Sequence, residues 1–323
     1  MRNLGDVIYK IVNVLNKKIE RSRSFTNNYV FDNRQKKSEN LILIVAGFQP
    51  YYWDEVFSRV QYSADIFAEG IDVCVCIPQG LPEAKSILQE KCKKLGWSCL
   101  YLKRDLLAQA QNVAIKLHPA ANYIFKIDED ILLSKDYFYR LKKAYLNVKG
   151  KIPYPIGFMG PLINVNAYCS LQFLKSIGAL EEYENRFGAY EVHGWEDDSH
   201  NKIHKSPEVG EFLWEKSTPF DQMAEHISNI NNGKFSLSPV RYSIGAILFT
   251  RSFWDSIGFF KVGGLKNMGV EETQVCAFCM VHFFPIVVAE DVFVGHLGFY
   301  SQKEACRKFL EKNISQISLS RQQ

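Results

Sequence analysis

Two aspartates one residue apart, Asp128 and Asp130, close the run Tyr123-Ile-Phe-Lys-Ile-Asp-Glu-Asp-Ile-Leu-Leu. Side chains alternate faces along a strand, so the two carboxylates are expected on one face, where they can share a hard cation. Carboxylate oxygens suit Mg²⁺ or Mn²⁺, which keep water ligands and take further oxygens from a substrate phosphate. The competing reading is a solvated loop after a strand, where acidic residues are common.

Other residues could also do chemistry. Glu271 and Glu272 follow Gly269 at the start of a helical pattern. They suit proton transfer, and they equally suit a helix N-terminus, whose dipole favours acidic side chains. A polar stretch carries His193, Trp195, Glu196, Asp197 and Asp198, and Trp214 follows it. Rings beside carboxylates fit sugar recognition, and His193, Trp195 and Trp214 are the acceptor-binding candidates there. Cys276, Cys279 and His282 repeat at helical spacing. Zinc needs four ligands and no second pair lies nearby, so core-facing helix residues are the expected reading.

These groups need a scaffold. From residue 41 the pattern alternates: apolar strands at 41–46, 72–77, 98–102 and 123–127, and helices at 53–69, 83–94 and 105–117. Such alternation implies a parallel sheet with right-handed crossovers. Ligands of these sheets bind outside the carboxyl ends of the strands, where Gly47, Gln79 and Asp128 are expected to gather. Residues 168–187 read as a helix, and 242–251 as a further strand.

The segment 105–137, with Asn112, Ala114, Ile115, Asp128, Asp130, Leu133 and Tyr137, resembles the centre of family 2 glycosyltransferases of the GT-A fold. A second block, Tyr242-Ser-Ile-Gly-Ala-Ile-Leu-Phe-Thr-Arg251 followed by Gly258-Phe-Phe and Glu271-Glu272, extends the resemblance over about residues 40–300. It implies a Rossmann-like α/β fold with a mixed, mainly parallel sheet flanked by helices. It also implies a nucleotide-diphosphate sugar donor contacted by Gly47, Gln79, Asn112 and Asp128, and a Mn²⁺ or Mg²⁺ ion on Asp128, Asp130 and His296. Glu272 or Glu271 would be the base that deprotonates a hydroxyl of a glycan or lipid-linked glycan, inverting the anomeric carbon. Two departures stand out. The strand at 72–77 ends in Cys76-Ile-Pro-Gln-Gly80 where the family carries an Asp that contacts the nucleotide, and Glu272 stands where it carries Asp.

A haloacid-dehalogenase-type phosphatase is disfavoured, since its aspartate pair follows the first strand and here the pair follows about the fourth. A sugar-binding module without turnover has no need of Glu272. A net charge of +4 is small for a nucleic-acid acceptor. With 47% hydrophobic residues the 323-residue chain can bury a large core. No apolar run approaches the roughly 18 residues of a membrane span, no secretory signal is evident, and eight cysteines lack framework spacing. These features point to the cytoplasm.

Leu4, Val7, Ile8, Ile11, Val12, Leu15 and Ile19 make one apolar stripe, opposed by Lys10, Lys17, Lys18, Arg21 and Arg23. This amphipathic helix would lie through residues 4–23 on an anionic membrane, or dock on its own domain or a partner subunit. The expected organisation is helix and polar linker over 1–40, then one catalytic domain over 41–323. The donor half is 41–160 and the acceptor half 161–323, with an insertion at about 181–240.

Overall fold

The computed structural model describes residues 19, 22–104, 106–192, 202–263, 269–299 and 301–319. The expected amphipathic helix therefore lies almost wholly outside the described residues. Ten strands follow in chain order: β1 (Tyr29–Asp32), β2 (Asn40–Val45), β3 (Asp72–Ile77), β4 (Ser98–Leu102), β5 (Tyr123–Asp128), β6 (Ile131–Leu133), β7 (Phe158–Ile163), β8 (Phe235–Leu237), β9 (Ala246–Thr250) and β10 (Ile286–His296). Helices fill most connections, and strands pair both parallel and antiparallel, so the architecture is mixed α/β as expected. Among the described residues no helix is long and apolar enough to cross a membrane.

The chain forms two compact units. The first comprises the chain through Phe48, Asp72–Ile124 and Thr250–Phe278; the second comprises Gln49–Ile71, Phe125–Phe249 and the chain from Cys279. In the first unit the strand order is β1-β4-β3-β2. β2, β3 and β4 are parallel, and β1 closes the edge antiparallel to β4. Every residue of β2 and β3 is buried, the pattern of strands covered on both faces. Helices Ala84–Leu95 and Leu107–Leu117 supply the crossovers. The carboxyl end of Leu107–Leu117 is satisfied by Arg251, which donates to the carbonyls of Ile115, His118 and Ala121 at 2.6–3.1 Å.

In the second unit the order is β5-β9-β7-β10-β6, with β8 also on β10. β7 and β10 are parallel, while β6 and β8 run antiparallel to β10. β10 is a single strand whose register with β7 shifts between Ala289 and Phe293. Its charged Glu290-Asp291 step falls in that irregularity, which lets one strand continue through a polar break.

Two helices differ from expectation. Trp53–Asp65 ends four residues before Glu69, because Phe67 turns back into the core, 6.3 Å from Phe125. The region 168–187 forms two helices, Ala167–Ser176 and Leu180–Phe187. The break falls at Gly178, whose φ of +69° is easy for glycine alone. The expected strand at 242–251 is confined to Ala246–Thr250.

Candidate active site

The second unit carries three of the expected residues, Asp128, Asp130 and His296, and sets Asp130 beside His296. β5 ends at Asp128, and Glu129 and Asp130 form a turn into β6. The alternation argument for the two aspartates therefore stops at Asp128; a turn, not a strand face, brings Asp130 near it. The turn is held from both sides. Leu297 N donates to Asp130 O at 3.0 Å, and Asp128 N donates to Gly245 O at 2.8 Å.

The three side chains of the turn have distinct surroundings. Lys126, two residues earlier on the same strand face, sits 2.6 Å from Asp128 Oδ1, yet 35% of the Asp128 side chain still meets solvent. Glu129 points into the core and accepts from Trp53 Nε1 at 2.6 Å. Asp130 accepts from Gln49 Nε2 at 2.7 Å, and its Oδ1 lies 3.6 Å from His296 Nε2. His296 is delivered by the last residue of β10, which pairs with Ile131 of β6. The other ring nitrogen, His296 Nδ1, is buried with no hydrogen-bond partner among the described residues.

The two aspartates are driven apart electrostatically. Burial pushes the Asp128 carboxyl up to about 6; Lys126 opposes the rise and the Asp130 carboxylate adds to it. Burial acts on Asp130 in the same direction, but His296, Lys303 and the Gln49 amide outweigh it and hold Asp130 well below the usual carboxylate range. Asp130 is thus the more acidic of the two aspartates.

Aromatic and histidine side chains support this pair. Trp214 is wholly buried, and its indole donates to His296 O at 3.0 Å. A Cβ at Gly295 would lie 2.4 Å from the Trp214 ring, so that close approach needs glycine. Trp214 was expected on an acceptor surface; with no exposed face, it braces β10 beneath His296 instead. Phe299 lies between two histidines, its ring tilted 4.1 Å from His296 and edge-on 4.7 Å from His204. Burial, with His296 and Arg241 adding to it, pushes His204 down to about 4. Gln49 and His204 carry no local sequence signal, being 81 and 74 positions from Asp130 in the chain.

The donor chemistry fits a hard or borderline divalent cation: carboxylate oxygens on Asp128 and Asp130, and an imidazole nitrogen on His296. Among the described residues, no three His, Cys, Asp or Glu side chains are already grouped to hold one.

The remaining candidates lie in the first unit. Gly47 and Gly80 stand at the ends of the adjacent strands β2 and β3, with Leu81 N donating to Gly47 O at 2.8 Å. A Cβ at Gly80 would come within 2.7 Å of Gly47 O. Gln79 is exposed in the same turn, its N donating to Arg104 O at 3.2 Å. Asn112 is different. It is fully buried, and its amide donates to Phe260 O at 2.8 Å and accepts from Trp254 Nε1 and Phe260 N at 3.0 Å. Expected against the donor, it instead ties the Gly258-Phe-Phe turn to the helix Leu107–Leu117. Glu271 and Glu272 occupy the first turn of the helix Val270–Val281, half-buried. Cys276 and Cys279 of that helix are buried, as expected of core residues. His193 and Trp195 lie outside the described residues.

No family model and no curated protein matches the chain. Solved structures similar to it include a mannosyltransferase from Pyrobaculum calidifontis in complex with GDP-Man and Mn²⁺, at 12% identity and TM-score 0.46, covering 82% of this chain and 58% of that one. They also include Staphylococcus aureus TarS 1–349 in complex with UDP, at 14% identity and TM-score 0.32, covering 38% of this chain and 35% of that one. The same fragment in complex with UDP-GlcNAc matches at 14% identity and TM-score 0.31, over 38% and 34% of the two chains. The chain thus aligns with less than two thirds of each of these proteins, and likeness at this level carries no weight for activity.

Proposed function

We propose that the chain is a metal-dependent, inverting glycosyltransferase of the GT-A type, acting in the cytoplasm. It would move a sugar from a nucleotide-diphosphate donor to a hydroxyl of a glycan or lipid-linked glycan. The observation that carries this reading is the Asp128-Glu129-Asp130 turn, which sets the Asp130 carboxylate 3.6 Å from His296 while part of the Asp128 side chain still meets solvent. A structural turn has no need of two carboxylates and an imidazole at one strand end.

In this reading Asp130 and His296 would hold the cation, with Asp128, now paired with Lys126, as a further carboxylate ligand. A divalent cation there supplies charge neutralisation for the departing diphosphate. Gln49 keeps the Asp130 carboxylate oriented, and Trp214 keeps β10 in place under His296. Gly47 and Gln79 provide the strand-end turns against which the nucleotide binds. Glu272, or Glu271 beside it, accepts the proton of the attacking hydroxyl, and attack opposite the leaving group inverts the anomeric carbon.

The test is hydrolysis of a panel of nucleotide sugars with and without Mn²⁺, comparing the parent with Asp130→Ala, since slow donor hydrolysis requires no acceptor. Mn²⁺-dependent release of a nucleotide from one donor, lost in Asp130→Ala at unchanged thermal stability, is the expected result. If no nucleotide sugar is cleaved, and none binds by calorimetry with Mn²⁺ present, the reading fails.

A further inference from the structure

The second unit carries an exposed apolar tip that the reaction does not use. Met280 is 50% exposed, Val281 68% and Phe283 76%, within four residues leading into β10. Phe283 has φ +59°, a left-handed conformation that costs a bulky residue free energy. Two neighbouring segments extend the patch. The loop 150–157, with Tyr154 54% exposed, is joined to the tip by Gly157 N donating to Pro285 O at 3.1 Å. Leu237, also exposed, pairs with Val287 at the beginning of β10. Exposed apolar side chains gathered on neighbouring segments in this way mark a docking site.

The chemistry beside the tip says what docks. A cleft of about 160 Å³ is lined by Arg140, Lys143, Lys151 and Lys234, with Asp291 its only carboxylate. The two features share their segments. Lys151 belongs to the loop that carries Tyr154, and Lys234 immediately precedes β8, which carries Leu237. Arg140 is partly neutralised by Asp136, and Asp291 accepts from Gly233 N at 2.9 Å, which leaves the three lysines as the main charge of the cleft. An aromatic and aliphatic tip flanked by lysines is the arrangement that enters the interfacial layer of a bilayer while the cations meet lipid phosphates.

We propose that this tip and cleft form a docking surface for an anionic lipid bilayer. The inference goes beyond the transferase reading and uses none of its residues. It also differs from a contact through residues 4–23, because it places the contact at the beginning of β10.

The experiment is cosedimentation of the full chain with phosphatidylcholine vesicles and with vesicles containing phosphatidylglycerol. Two variants are compared with the parent: Val281→Ser with Phe283→Ser, and Lys143→Glu with Lys151→Glu and Lys234→Glu. The substituted side chains are exposed, so thermal unfolding midpoints should match the parent. The expected result is salt-sensitive binding to the anionic vesicles only, weakened about tenfold or more in each variant. Binding unchanged in both variants would assign any membrane contact to another part of the chain and overturn the proposal. So would a parent that ignores vesicles but self-associates in sedimentation velocity, with Phe283→Ser releasing monomer.

Discussion

Asp128 and Asp130 show how much one residue type can mean in two places two positions apart. Both are carboxylates near the same strand end, yet burial lifts one and His296 with Gln49 holds the other down. Because Gln49 donates directly to Asp130, in the proposed function it would be an outer partner of a metal ligand, a role commonly worth ten- to a hundredfold in metal affinity. Gln49→Ala should therefore weaken Mn²⁺ binding, measured by calorimetry, by about tenfold or more while the unfolding midpoint barely moves. An unchanged Mn²⁺ affinity would show that the amide serves packing alone. The residue types of the Asp-x-Asp motif were legible in the sequence, but their placement was not. Period two holds only while the strand lasts, and β5 stops at Asp128.

At the scale of elements, buried runs declared themselves and polar interruptions concealed. β2, β3 and β4 were legible because continuous apolar stretches have few other fates. β10 was not. The Glu290-Asp291 pair splits its apolar pattern into two short runs, and only a shift in register makes them one strand. That strand delivers His296, so missing it hid the route by which the histidine reaches Asp130. Asn112 taught the opposite lesson: its motif was visible and its role was not. Asn112→Ala would remove three buried hydrogen bonds, those to Phe260 N, Phe260 O and Trp254 Nε1. The expected loss is about 3 kcal/mol of unfolding free energy in urea, with nucleotide affinity in the folded fraction unchanged. A loss of affinity without loss of stability would return Asn112 to the donor site.

At the scale of the whole molecule, each unit is assembled from three separate stretches of chain, a feature that local patterns cannot announce. Arg59 shows what secures the second unit. Its guanidinium is almost wholly buried; it pairs with Glu55 at 2.9 Å and Asp221 at 2.8 Å, and donates to the carbonyls of Leu133 and Ile317. Removing one partner of a buried ion pair strands the other, at a cost of about 3–5 kcal/mol. Arg59→Met should destabilise by that order in chemical denaturation, and adding Asp221→Leu should restore a substantial part. No recovery in the double variant would place the energy in packing against Phe220, whose ring lies 4.8 Å from the guanidinium.

The same arginine sets a timetable for the ribosome. Ile317, one of its acceptors, is 258 residues further along the chain. At about 5–20 residues per second, synthesis leaves an interval on the order of 13 to 50 s between the two. Throughout that interval a cation destined for the interior is better kept in water than buried half-satisfied. Closure of the second unit around Arg59 is therefore a late event, and β7 gains its parallel neighbour only once β10 has been made.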